Sequence, residues 1–282
     1  MERFEMPHVD KVVGIPKEYP NGQNELEVHL ANKFKEEGKK IEGHEIEKTD
    51  KDILLIDFAQ NAVDDYLKKY NRKKNVIIPL ENIHLLEEGG VDKLTRGKIS
   101  AGASAPVYGG IIVDRVVSDV EFSLVTFHEL MHAKSYNSIQ ITKEKNKEKG
   151  VIKSFRTGFC VTTRDGEKTF FEDVNEAIVG FLTKKFFEEY IEKNDMFKDE
   201  LTMQKEKKIS FNLSRQKEMR EGLNYMFRIY ELNKDKYSQE EIVDIFIDAG
   251  INGNLLKVAR LVEETFGKGS FRVLGETTAV KK

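Results

Sequence analysis

Two histidines and a glutamate in the segment TFHELMHA, residues 126–133, have the spacing of a metal-bound catalytic centre. Positions i and i+4 of an α-helix lie on the same face, so His128 and His132 can direct two imidazoles at one metal ion. Glu129 follows the first histidine and can reach a metal-bound water without binding the metal itself. This HExxH pattern predicts two zinc ligands and a general base that takes a proton from the water.

The alternative is a chance occurrence of the pattern on a surface helix. Apolar residues around the motif argue against this, because they predict that most of the helix is buried: Phe122, Val125, Phe127, Leu130 and Met131. Buried imidazoles and carboxylates are unfavourable unless they have a partner. Ser118 and Glu121 form a capping-box sequence, which places the start of the helix near Asp119. A buried, metal-binding helix is therefore the favoured interpretation.

A catalytic zinc usually takes three protein ligands and one water, so a third ligand must come from elsewhere. No histidine follows His132, which leaves a carboxylate as the downstream candidate. Glu176 lies within FFEDVNEAIVGFL, residues 170–182, where apolar residues surround the helix and predict burial. Glu172, one turn earlier, is the alternative ligand, although an acidic residue in the first turn of a helix is also favoured by the helix dipole.

The sequence HELMH followed by VNEAIVGFL resembles the gluzincins, the thermolysin-like zinc peptidases. In that family the second helix carries Asn-Glu-Ala, and its glutamate is the third zinc ligand. By position, the resemblance implies that one zinc ion is bound by His128, His132 and Glu176. It further implies that Glu129 is the general base and that Asn175 hydrogen-bonds a zinc ligand or the substrate backbone.

The segment before the motif helix, YGGIIVDR (residues 108–115), has the β-branched content of a strand. The resemblance implies that this strand is the upper edge of the cleft and that a peptide pairs with it near Gly110 and Ile111. The implied activity is zinc-dependent hydrolysis of a peptide or protein substrate. We favour an endopeptidase, because the chain lacks the Gly-x-Met-Glu-Asn run of the family's exopeptidases.

The chain departs from the family pattern in three places. Glu176 lies 44 residues after His132, about twice the spacing expected in thermolysin, and a hairpin at 153–171 fills the difference. The family often has an aspartate four residues after the glutamate ligand, where it orients a zinc-bound histidine, and this chain has Gly180 there. The histidine that stabilises the oxyanion in thermolysin cannot be present either, since none follows His132. A tyrosine or an arginine must take that role. We name Tyr225 first and Tyr230 second, although tyrosines on amphipathic helices are more often packing residues.

Two other functions stay open from the sequence. One is a zincin-like scaffold that binds a protein partner with little or no turnover, and the other is a purely structural zinc site. The intact Glu129 argues against both, since neither needs a base beside the metal. The absent aspartate at Gly180 keeps the scaffold in consideration.

Composition limits the remaining function classes. The 282 residues carry a formal net charge of -3, so no basic field indicates a nucleic-acid partner. No secretory signal and no apolar run of membrane-spanning length is visible, so we expect a cytoplasmic protein without a membrane partner. Cys160 is the single cysteine, which excludes an intrachain disulfide, and we expect it to be a small buried residue. Oligomeric state is not encoded in any pattern found.

We predict an α+β, zincin-like fold, with a small mixed N-terminal sheet carrying the active-site helix and a mainly helical C-terminal subdomain. The predicted divisions are an irregular arm at 1–22, an N-terminal subdomain at 23–141 and a C-terminal subdomain at 142–282. Helices are expected within 24–40 and 51–70, with strands within 75–86.

The C-terminal subdomain should open with a β-hairpin that turns in two residues at Asp165-Gly166, ahead of the Glu176 helix. Helices should then continue to about Phe266, and the tail should hold a short strand. Breaks in these helices are predicted near Asn194, Asn212, Asn233 and Gly250.

Overall fold

The structure is a computed structural model, which describes residues 9–14, 41, 43–72, 76–95, 102–105, 110–142, 151–207, 216–277 and 280–281. Within these ranges the chain forms α-helices and two β-sheets, so the predicted α+β class is confirmed. The α-helices are α1 Asp50–Lys69, α2 Gly90–Thr95, α3 Asp119–Lys134, α4 Glu172–Phe186, α5 Lys198–Lys207, α6 Gln216–Asn233, α7 Gln239–Asn252, α8 Leu255–Phe266 and α9 Ser270–Thr277. The strands are β1 Lys11–Val13, β2 Ile83–Glu87, β3 Gly102–Ala105, β4 Gly110–Arg115, β5 Asn137–Thr142, β6 Val151–Thr157, β7 Cys160–Thr162, β8 Lys168–Phe170 and β9 Val280–Lys281.

A three-stranded mixed sheet packs against the motif helix α3. Its order is β2-β4-β3, with β2 parallel and β3 antiparallel to β4. The strand β4 is therefore central, and Ile111 pairs with Ile83 on one side and Ser104 on the other. The expectation that a peptide pairs at Gly110 and Ile111 on a free edge is wrong, because β3 already occupies that position. The segment of β3, for which no strand was predicted, forms the outer strand of this sheet.

The motif helix α3 is held in place at both of its ends. It begins at Asp119, as predicted, where the Ser118 hydroxyl accepts the backbone N–H of Glu121 at 2.9 Å. At the other end the fully buried ammonium of Lys134 lies 2.7 Å from a carboxylate oxygen of Asp64 on α1. A buried lysine needs such a partner, so this ion pair fixes the position of α3 against α1.

Aromatic packing sets which face of α3 carries the two histidines. Phe127 is fully buried, and its ring stacks on Phe186 of α4 with centroids 4.3 Å apart. On its other side it meets the edge of Tyr66 from α1 at 5.8 Å. Because Phe127 faces the apolar interface of the three helices, the next residue, His128, is turned toward a different part of α4.

The helix α1 follows its sequence pattern closely. Thr49 caps its N-terminus in a capping box with Asp52. Apolar residues at helical spacing are buried, among them Ile56, Ala59 and Val63. Local propensity, capping and burial agree here, which explains why this helix was predicted well.

A second, six-stranded sheet has the order β1-β5-β6-β7-β8-β9, of which only a hairpin and the short strand in the tail were predicted. The predicted hairpin is β7–β8, but its loop is longer than two residues, since the Thr163 N–H bonds the Lys168 carbonyl at 2.9 Å. A further hairpin joins β6 and β7 through Gly158 and Phe159. The strand β1 lies in the predicted irregular arm and pairs in parallel with β5.

The C-terminal half is mainly helical, as predicted, with differences at its breaks. The helix α7 continues through Gly250 and ends at Gly253, whose positive φ of 85° terminates it. The tail forms α9 before the short strand β9, whereas only a strand was expected. Breaks at Asn194 and Asn233 are confirmed. The predicted helix at 24–40 and the break at Asn212 lie outside the described residues.

No helix in the described part of the chain combines the length and the apolar character needed to cross a membrane.

The contact between α4 and α6 depends on a glycine. A Cβ atom built on Gly222 would lie far inside the contact distance of the Ala177 Cβ, and 3.5 Å from the Asp173 carbonyl oxygen. The two helices therefore approach closely only because residue 222 has no side chain. This contact holds the helix that carries Glu176.

We expect Gly222→Ala to lower the free energy of unfolding by about 1–3 kcal/mol, because the added methyl group must push α6 away from α4. Gly250→Ala is the matched control, since it is helical and its added Cβ would meet nothing within 4 Å. Gly250→Ala should raise the free energy of unfolding by up to about 1 kcal/mol. Urea unfolding followed by circular dichroism measures both. Equal effects of the two substitutions would contradict the close contact.

Candidate metal centre

Three of the predicted ligands come together in the structure. Helix α3 contributes His128 and His132, and helix α4 contributes Glu176. The two histidine Nε2 atoms are 3.0 Å apart. Glu176 places one carboxylate oxygen 3.3 Å from the His128 Nε2 and the other 3.4 Å from the His132 Nε2. All three side chains are buried, and together they form a cluster able to hold a metal ion.

The spacing of these atoms fits a zinc ion. Zinc binds histidine nitrogen and carboxylate oxygen at about 2.0–2.2 Å, so two ligands in tetrahedral geometry lie about 3.3 Å apart. The two Nε2 atoms are 3.0 Å apart, and each has a different Glu176 oxygen at 3.3 or 3.4 Å, so each of these pairs is close to this value. Two imidazoles and one carboxylate are also a donor set typical of catalytic zinc, which leaves the fourth position for water.

The charge of Glu176 suits a metal ligand. Burial by itself raises the pKa of a carboxyl group, but the adjacent imidazoles of His132 and His128 outweigh this effect. They hold the pKa of Glu176 well below its usual range. The carboxylate is therefore ionised at neutral pH, and the site offers one negative charge to a cation.

The imidazole of His132 is held by Asn175, as the resemblance implied. The Asn175 Nδ2 lies 3.1 Å from the His132 Nδ1, and the Asn175 Oδ1 accepts the N–H of Phe159 at 2.8 Å. A neutral His132 that binds metal through Nε2 carries its proton on Nδ1 and needs an oxygen opposite it. A metal bound through Nε2 would therefore require the Asn175 amide to turn over, and the Phe159 N–H would then lose its acceptor. Gly158 has a positive φ of 56° and lies so close to this amide that a Cβ would collide with its oxygen.

Arg156 supports this turn from the opposite side and was missed by sequence reasoning. Its buried guanidinium donates to the carbonyl oxygens of Gly158 at 2.8 Å, Ala249 at 2.8 Å and Gly253 at 2.7 Å. It also stacks over the ring of Tyr136 at 4.7 Å. Burial lowers the pKa of Arg156 to about 10. Arg156 thus connects the C-terminal end of α7 to the turn that contacts Asn175. No local sequence pattern indicates this role.

The partner of His128 was left unassigned by the sequence, because Gly180 stands at the expected position. In the structure Thr183, on the same helix, lies with its hydroxyl 3.4 Å from the His128 Nδ1. Thr183 is seven residues after Glu176, and positions i and i+7 share one helix face. That spacing is the signal that would have pointed to it.

Glu129 is buried beside the outer strand of the three-stranded sheet. A Cβ atom built on Gly102 of β3 would lie 3.1 Å from a carboxylate oxygen of Glu129 and 2.7 Å from the Val125 side chain. The strand β3 therefore passes over the motif helix at close range, and it can do so because residue 102 is a glycine. This places the outer strand next to the predicted general base.

The oxyanion candidates are not brought to the metal ligands. Tyr225 packs against Phe266 with ring centroids 5.5 Å apart, and burial raises the pKa of its hydroxyl to about 12. It lines a cavity of about 510 Å³ with Arg228, and none of the three metal ligands lines that cavity. Tyr230 is half-buried on α6, with its ring 5.9 Å from that of Phe227.

The structure also differs from the sequence-based expectations for Glu172 and Cys160. The alternative ligand Glu172 occupies the first turn of α4 and is not part of the metal-ligand cluster in the described residues. Cys160 lies in β7 and is partly exposed, whereas a buried position was expected. The short strand β7 leaves this side chain within reach of solvent.

Comparisons of the chain with protein-family models, with curated proteins and with solved structures find no match. The chemistry of the site has to follow from its own geometry.

We expect the protein purified without chelator to contain about one zinc ion per chain, because two buried imidazoles and a carboxylate meet at separations close to those of zinc ligands. His132→Ala and Glu176→Ala should each lose the metal, whereas His44→Ala, at an exposed position on another segment, should keep it. Elemental analysis by mass spectrometry measures this. Wild-type protein without bound metal, even after addition of zinc, would rule out the site.

Arg156→Met should lower the free energy of unfolding by on the order of 3 kcal/mol, since three carbonyl oxygens lose a charged donor and the buried Gly158 carbonyl is among them. Arg164→Met is the control, because Arg164 is exposed in the loop of the same sheet. Thermal unfolding of both variants distinguishes the two positions. An unchanged midpoint for Arg156→Met would contradict its role in the fold.

Proposed function

We propose that this chain is a zinc-dependent peptidase, with endopeptidase activity on a peptide or protein substrate. The observation that carries the proposal is the buried cluster of His128, His132 and Glu176, with pairwise separations close to those of zinc ligands and with Glu129 beside them on α3. The resemblance of HELMH and VNEAIVGFL to the gluzincin motifs supports the same activity, and their predicted ligands are the residues that meet.

Each residue has a defined role in this proposal. A bound zinc ion would lower the pKa of a water molecule to about 7 and polarise the scissile carbonyl. Glu129 accepts the proton of the attacking water and then delivers it to the leaving amine nitrogen. Its burial beside β3 limits the access of other water to this proton. Asn175 and Thr183 hold the two imidazoles in orientation.

The outer edge of β3 is the proposed position of the substrate backbone. In the described part of the three-stranded sheet, β3 has a neighbouring strand only on the side of β4. Its Gly102 lies over Glu129, so a peptide pairing with the outer edge of β3 would run close to the general base. Strand addition supplies backbone hydrogen bonds that hold an extended substrate in register. This replaces the earlier expectation for Gly110 and Ile111.

We expect Glu129→Gln to lower kcat for peptide cleavage by about 10²–10⁴-fold, because the amide cannot accept the proton. Zinc content should stay unchanged, since Glu129 is not a ligand. Glu121→Gln, in the first turn of the same helix, is the matched control and should keep activity. Cleavage of a peptide library, read by mass spectrometry, gives the rates.

The same experiment separates the enzyme from the scaffold that binds a partner. Zinc-loaded wild-type protein that cleaves no peptide, and whose binding partners are the same for Glu129→Gln, would favour the scaffold. Cleavage that persists in Glu129→Gln would remove the proposed role of the glutamate.

A further inference from the structure

Thr183 is the described side chain that lies against the outer nitrogen of His128. Its hydroxyl oxygen is 3.4 Å from the His128 Nδ1, on the side of the ring that faces away from the other ligands. Both residues are buried. The helix α4 therefore contributes one residue to the metal cluster, Glu176, and a second residue on the same face behind a ligand of α3.

The single hydroxyl hydrogen of Thr183 decides which residue is the donor in its contact with His128. A threonine hydroxyl has one hydrogen and two lone pairs. Thr183 donates its hydrogen to the Val179 carbonyl oxygen at 2.8 Å, so only a lone pair is left for His128. The hydrogen between Thr183 and His128 must then come from the Nδ1 of the imidazole.

This direction selects the form of His128 that can bind a metal. A neutral imidazole with its proton on Nδ1 has a free lone pair on Nε2. The Nε2 of His128 is the atom that lies 3.0 Å from the His132 Nε2 and 3.3 Å from Glu176. The β-branched Thr183 has few χ1 rotamers in a helix, and its bond to Val179 fixes one of them.

We propose that Thr183 is a positioning residue for the metal ligand His128, with a hydroxyl in the place of the carboxylate that Gly180 lacks. This inference rests on the proposed zinc site. A carboxylate behind a ligating histidine increases the basicity of the ring, whereas a neutral hydroxyl only orients it. The site therefore keeps the orientation of His128 without adding a second negative charge.

The test is the affinity of the protein for zinc, which does not depend on catalysis. Thr183→Val keeps the shape of the side chain and removes the acceptor, and it should weaken zinc binding about 10–100-fold. Thr183→Ser keeps the hydroxyl and should retain most of the affinity. Competition with a chromophoric zinc chelator gives the dissociation constants.

Thr126→Val is the matched control. Thr126 lies on the motif helix, and its buried hydroxyl has no hydrogen-bond partner in the described structure. Its replacement should leave zinc affinity unchanged. The visible spectrum of the Co²⁺-substituted proteins adds a second measure, since a reoriented His128 changes the ligand field in Thr183→Val and not in Thr126→Val.

The outcomes separate this inference from the proposed function. Wild-type zinc affinity and an unchanged Co²⁺ spectrum in Thr183→Val would overturn the role of Thr183, as would an equal loss in Thr126→Val. Loss of affinity confined to Thr183→Val supports it, even if the wild-type protein hydrolyses no peptide and the proposed function fails. If metal-free Thr183→Val does not fold, Thr183→Ala is measured against Thr183→Ser by the same criteria.

Discussion

Two imidazoles and a carboxylate meet in the interior of this protein, and the rest of the structure depends on keeping them there. Buried polar groups of this kind are stable only when each has a partner. His128 and His132 face Glu176 on one side, and each has a further contact behind its ring, from Thr183 and Asn175 respectively. The cluster is thus the meeting point of α3 and α4, and the surrounding packing sets how these two helices face each other.

On α3, neighbouring residues make different kinds of contact, one apolar and the next polar. Phe127 stacks on Phe186 and fixes the rotation of α3, while His128, the next residue, faces the metal cluster. The ion pair of Lys134 with Asp64 fixes its position relative to α1. On the other side, Gly222 allows α6 to lie close against α4. His128, His132 and Glu176 are therefore positioned by contacts that do not depend on a metal.

Local sequence patterns predicted those parts of the site whose residues lie close together in sequence, on consecutive turns of one helix. The spacing of His128 and His132, the cap at Ser118 and the apolar surroundings of Glu176 depend on neighbours in sequence, and each is found in the structure. The outer position of β3 depends on long-range strand pairing, which composition does not encode. A helix was likewise missed in the tail, where only a short strand was predicted.

Arg156 connects the metal centre to a helix that contributes no ligand. It joins the carbonyl groups at the end of α7 to the Gly158 turn, and the Phe159 N–H of that turn holds Asn175 against His132. Linkage between two such sites is reciprocal: the free energy by which a metal bound at His132 would change the docking of α7 equals the free energy by which that docking would change metal affinity. If the cluster binds a metal as proposed, a partner that binds α7 would therefore change the affinity for that metal.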